Sequence, residues 1–197
     1  MDSREISERD AQLVRAIEEE GLSTFTFDGL RRLTGSHPET LSRSLGRLED
    51  EGVVAKSPDG YVVASKVGKV RGVAPQTQSE GRVQILRTYL PVGVSASSVV
   101  DALRGRWFDR MRWIGMADAE GGVVLKWLAE DGSSIMDVKL TDGEMEIEAR
   151  IEKEGEVAGA VMAAHQLVAR ISRMYARPRA SGRQATMRVG LFRPYAM

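Results

Sequence analysis

Between Gly35 and Val54 the polar and apolar positions alternate with a helical period. Leu41, Leu45 and Leu48 recur at i, i+4 and i+7, the spacing that lines one face of an α-helix. Pro38 suits a first helical position, where its missing N–H is not needed, and Ser36 or His37 is placed to cap the end before it. Gly52 stands where this helix must stop. Upstream, Ser7 and Asp10 mark an N-terminus, and Leu13, Val14 and Ile17 form the buried side of a helix ending near Gly21. Ser23 to Phe27 is expected to open a second helix, with Thr26 or Asp28 near its start, Leu30 and Leu33 facing inward and Gly35 ending it. Downstream, Val53 to Lys56 and Tyr61 to Ser65 read as two short strands around the turn Ser57-Pro58-Asp59-Gly60.

The pattern lapses from Lys66 to Glu80, where Gly, Pro, Gln and Ser show little periodicity, as in a linker. Arg82 to Leu90 then reads as a strand closed by Pro91. Ser95 or Ser97 caps a helix through Val99, Leu103 and Trp107. Met111 to Ala117, Val123 to Ala129, Ser133 to Leu140 and Met145 to Ile151 follow as strands, the last two joined at Thr141-Asp142-Gly143. The final strand alternates cleanly. Met145, Ile147, Ala149 and Ile151 lie on one side and Glu144, Glu146, Glu148 and Arg150 on the other, which predicts a sheet with one buried and one wet face. A long helix from about Glu154 to Tyr175 carries the stripe Val157, Val161, Ala164, Val168, Ile171 and Tyr175, suited to covering that sheet or zipping to a second copy. Ala185 to Phe192 reads as one further strand.

Charge changes this picture only through its distribution. The 197 residues carry a formal net charge of 0, but Arg177 to Met197 holds five arginines and no acid, while Asp118 to Glu156 holds twelve acids against four bases. Hairpin turns and a solvated sheet face account for much of the acidic stretch. The absence of cysteine removes disulfides, thiol catalysis and cysteine metal sites. The two histidines, His37 and His165, lie far apart, so no metal site is expected. No Ser/His/Asp set or phosphate loop is visible, so neither a catalytic residue nor a cofactor is expected. No apolar run approaches the ~20 residues of a membrane span, and the start MDSREISERD is no signal peptide, so a cytoplasmic protein without membrane contact is expected.

Three helices followed by a hairpin make the winged helix-turn-helix plan. The expected fold class is α+β: an N-terminal winged helix-turn-helix domain plus a C-terminal antiparallel sheet with a long covering helix. The expected boundaries are a DNA-binding domain over 1–66, a linker over 67–80, an effector or dimerisation domain over 81–176, and an Arg-rich tail over 177–197. Two plans fit the second domain: a helix-grip sheet around its C-terminal helix, or one that resembles the ferredoxin-like effector domain of the Lrp family. Trp107, Trp113, Trp127, Met116 and Met136 either line an apolar pocket for a small-molecule effector or are plain core.

Glu39-Thr40-Leu41-Ser42-Arg43, followed by Leu45, Leu48, Glu49, Gly52 and Val53, resembles the recognition helix of winged-helix prokaryotic regulators, most of all the Crp/Fnr family. In that family the Glu, Ser and Arg contact bases. The resemblance implies that Glu39 accepts from a cytosine amine, Arg43 grips a guanine O6/N7 pair, and Ser42 makes a smaller neighbouring contact. Ser36, His37, Thr40, Arg47 and Lys56 complete the expected DNA-contacting set. The domain order departs from Crp/Fnr, whose sensor precedes the winged helix, so that family's signal is not carried over. The alternative for Arg43 and Arg47 is a solvated face, paired with Glu39 or Asp50 at helical spacing. The expected function is a dimeric, sequence-specific regulator of transcription on double-stranded DNA. A winged-helix adaptor for protein partners is the other reading.

Overall fold

A computed structural model describes residues 7–64, 81–152 and 156–176. The expected linker, the Arg-rich tail and the strand expected over 185–192 lie outside the described residues. Helix α1 (Glu8–Glu19) starts at Ser7, whose Oγ accepts from the Asp10 N–H, and buries Leu13 and Ile17. The next segment corrects the sequence reading: Leu22–Phe25 is a strand, β1, and helix α2 (Phe27–Thr34) begins only after Thr26. Thr24 and Phe25 favour a pleated surface, and β1 gains strands on both sides that no local pattern announces. Thr26 caps α2 by accepting from the Gly29 N–H at 3.0 Å. Helix α3 (Pro38–Asp50) buries Leu41, Leu45 and Leu48 as its spacing predicts. Strands β2 (Val54–Ser57) and β3 (Gly60–Val63) form the expected hairpin, with Ser57 opposite Gly60.

The C-terminal half runs β4 (Arg82–Tyr89), α4 (Ala96–Leu103), β5 (Met111–Ala119), β6 (Gly122–Ala129), β7 (Ser134–Thr141), β8 (Glu144–Ile151) and α5 (Val157–Tyr175). Ser95 caps α4, which ends at Leu103; Trp107 falls outside it and is half exposed. On α5 the buried ridge is Ala160, Ala163, Ala164, Leu167 and Ile171, rotated from the predicted stripe, and Val157 is exposed. Alanines form the contact ridge, and a pattern weighted by hydrophobicity passes over them.

All eight strands join one antiparallel sheet in the order β2-β3-β1-β5-β6-β7-β8-β4. The seam between the two halves is β1 against β5, with Leu22 opposite Ala117 and Phe25 opposite Gly115. Two glycines permit close approach there. A Cβ on Gly115 would collide with the Thr24 carbonyl, and one on Gly29 of α2 would collide with the backbone of Ile114.

Helices α4 and α5 cover the front of the sheet. Trp127 is fully buried there, edge-on to Phe108 and Trp113, and its Nε1 donates to the Arg106 carbonyl at 2.8 Å. Met136, Val138 and Ile147 pack beside it against Val99, Leu103 and Leu167. Helices α1 to α3 stand on the back, where Leu13, Leu30 and Leu45 share a core with Ile114, Leu128 and Ile135 of the central strands. The expected single wet face is therefore corrected over β6 and β7, which are buried on both sides. On β8 the alternation holds, with Glu144, Glu146 and Glu148 partly exposed.

Candidate nucleic-acid interface

Helix α3 presents two unlike sides. The leucine ridge faces α1, and Glu39, Ser42, Arg43 and Asp50 stand outward in solvent. His37 occupies the N-cap position without a side-chain hydrogen bond. Ser36 does not cap either: its Oγ accepts from Thr34 Oγ1 at 2.8 Å. Pro38, at the first helical position, has no N–H that needs a cap and a φ already set for the helix. Ser36, His37 and Thr40 meet Arg9 and Gln12 around a cavity of about 360 Å³ between α1 and the start of α3.

The expected base-reading trio stays together on the outward face. Arg43 Nη2 lies 2.5 Å from Glu39 Oε1, one helical turn away, with the two side chains 71% and 66% exposed. Arg47 behaves differently. Its Nε and Nη2 donate to both carboxylate oxygens of Asp10 on α1, at 2.8 and 2.7 Å, and Nη2 also donates to Ser44 Oγ at 3.1 Å. Neither partner offered by the sequence, Glu39 or Asp50, takes it. Asp10 is buried, and the Arg47 hydrogen bonds hold its carboxyl well below the usual carboxylate range against the opposing effect of burial. Arg47 thus ties α3 to α1. Lys56 on β2 is 2.9 Å from Glu49, whose hydrogen bond raises the ammonium pKa and links the hairpin to the end of α3. Over residues 7–64 there are seven Lys and Arg against eleven Asp and Glu, so this half is acidic overall.

The densest charge lies elsewhere, under α1 on the back of the sheet. Lys126 Nζ donates to both oxygens of Asp137 at 2.9 and 2.8 Å and to Glu20 at 3.1 Å. Arg82 also pairs with Asp137, and Arg150 sits 2.7 Å from Glu20. Three cations thus surround two buried carboxylates, and Arg150 also reaches the half-exposed Glu152 at 2.7 Å. Burial and the neighbouring arginines outweigh the pull of Glu20 and lower the Lys126 pKa to about 8. For Glu20, burial is the largest single influence and raises the pKa, yet Lys126 and Arg150 together bring it below its ordinary value. Both values fall: burial and the arginines disfavour the protonated Lys126, while the surrounding cations favour the ionised Glu20. Lys126 and Asp137 are directly opposite across β6 and β7, and each is the lone charge within an apolar run, Val123 to Ala129 and Ser134 to Val138. That is the signal a sequence reading had for this cluster, and it was legible only once the register was known.

Among the described residues no group of three or more His, Asp or Glu is arranged to hold a metal ion, and no helix is long and apolar enough to cross a membrane. No protein-family model, curated protein or solved structure matches the chain.

Proposed function

We propose that the N-terminal half is a winged helix-turn-helix module that binds double-stranded DNA sequence-specifically, in a homodimeric regulator of transcription. The observation that carries this reading is the outward face of α3, where Glu39, Ser42 and Arg43 have no part in holding the fold. The order α1-β1-α2-α3-β2-β3 supports it, with the β2–β3 hairpin as the wing. Exposed ion pairs are worth ~0–1 kcal/mol, so opening Arg43 from Glu39 costs little against a bidentate contact to guanine O6/N7. Glu39, so released, accepts from a cytosine amine. Arg47 is assigned to positioning α3 rather than to reading bases. A homodimer would set two α3 helices on half-sites about one DNA turn apart, favouring pseudo-palindromic sequences.

The acidity of residues 7–64 favours a second reading, a winged-helix adaptor that binds a protein partner, because a polyanion is repelled by that net charge. Selection of duplexes from a random pool at low salt, followed by gel shift, separates the two. The DNA reading predicts an enriched sequence whose affinity falls as salt rises. Binding without any sequence preference, or no binding, would leave the adaptor.

A further inference from the structure

The sheet extends beyond the helices that cover its front. Val62, Thr24 and Met116 lie side by side across β3, β1 and β5, on the same face as Trp113, which belongs to the front core. Helices α1 to α3 occupy only the back of these strands, and Val62 remains 38% exposed. The result is a recess of about 200 Å³ beside the end of α4, floored by Thr24, Phe25, Val62, Trp113 and Met116. Its rim carries two charges, Arg104 just after α4 and Asp59 in the β2–β3 turn, with Arg104 Nη1 donating to Asp59 Oδ2 at 3.0 Å. No other charged residue lines it.

We propose that this recess binds a small apolar carboxylate, its ring or branched chain on the Trp113 and Met116 floor and its carboxylate on Arg104 in place of Asp59. The volume is below the roughly 300 Å³ at which pockets begin to take drug-sized ligands, so a single ring or short branched chain fits. The exchange is favourable for a stated reason. Asp59 is 65% exposed and returns to water at little cost, while a guanidinium can take an incoming carboxylate through two parallel hydrogen bonds. The apolar part of the ligand adds contacts that Asp59 lacks. Binding also unties the β2–β3 turn from the C-terminal half, because Arg104–Asp59 is the ion pair joining them at this point. This deepens the regulatory reading above by giving the C-terminal half a ligand, yet the site itself is tested without DNA.

The experiment titrates the full chain with benzoate, isovalerate and, as the uncharged counterpart, benzamide. It follows tryptophan emission, with ligand-observed saturation-transfer NMR as a second readout. The expected result is saturable binding of at least one of the two acids, an emission change lost in Trp113→Phe, and weakening by roughly tenfold or more in Arg104→Gln. Benzamide binds correspondingly more weakly, and Asp59→Asn binds the acid more tightly by removing the internal competitor. No saturable binding of either acid by both readouts, or equal affinity in Arg104→Gln, overturns the proposal. Neither result bears on DNA recognition, and failure of DNA recognition does not bear on this site.

Discussion

The outward face of α3 and the cluster beneath α1 are built from the same residue types and do opposite things. On α3 the Glu39–Arg43 pair stands in water, both partners mostly exposed. Beneath α1, Glu20, Lys126 and Asp137 are buried, and Arg82 joins them with its side chain almost wholly covered. A solvated pair opens at little cost and is free to meet something else. A buried set is held because removing one partner leaves its opposite uncompensated. Charge is thus free to change partners where it is wet and fixed where it is dry. Arg47 lies between the extremes, on the same helix as the exposed pair but committed to a buried carboxylate.

Four substitutions can break or sharpen that contrast. Glu20→Gln leaves Asp137 as the one buried carboxylate for Lys126 and Arg82, with Arg150 keeping only the half-exposed Glu152, and should cost about 3–5 kcal/mol in urea unfolding. A loss near zero would show that the cluster is open to water. Asp10→Asn should cost about 1.5–3 kcal/mol near neutral pH. Its carboxyl is depressed in the folded state, so its contribution is present above the unfolded value of about 4 and is lost as pH falls through the folded value. The acid limb of the stability curve should accordingly be flatter in this variant than in the native chain. Lys126→Met should cost only about 1 kcal/mol or less, since Asp137 keeps Arg82 and Glu20 keeps Arg150. Between pH 8 and about 10.4 the unfolded chain binds more protons at this lysine than the folded chain does. The native protein should therefore gain stability over that window relative to Lys126→Met, whose profile lacks the rise. Equal losses for Lys126→Met and Glu20→Gln would refute the excess of cations. Arg43→Ala should change stability by no more than ~0.5 kcal/mol.

Much of this was legible in the chain. The α3 ridge, the hairpin turn, the caps at Ser7, Thr26 and Ser95, and the alternation of β8 all rest on neighbours within a few positions, where local physics decides. What escaped depends on distant partners. β1 is a strand because β3 and β5 lie on either side of it, and Met116 is ninety-two positions from its partner Thr24. The same seam merges the two halves into one sheet, which no turn or linker composition announces. Arg47 was readable as a charge on a helix face, but Asp10 lies thirty-seven residues earlier and outside any helical spacing. Of the five residues bearing on an apolar pocket, Trp127 and Met136 are sealed core, while Trp113 and Met116 line the small recess near the hairpin.

The contrast between wet and dry charge is tested most directly on α3 itself. Take the duplex selected by the native protein, replace each guanine in turn, and measure the affinity of the native chain and of Arg43→Ala at one fixed salt concentration. If Arg43 reads a base, replacing one guanine costs the native protein roughly 1–3 kcal/mol and costs Arg43→Ala almost nothing, with both proteins equally stable. Equal sensitivity of the two proteins at every position would contradict it, because Arg43 would then touch no base.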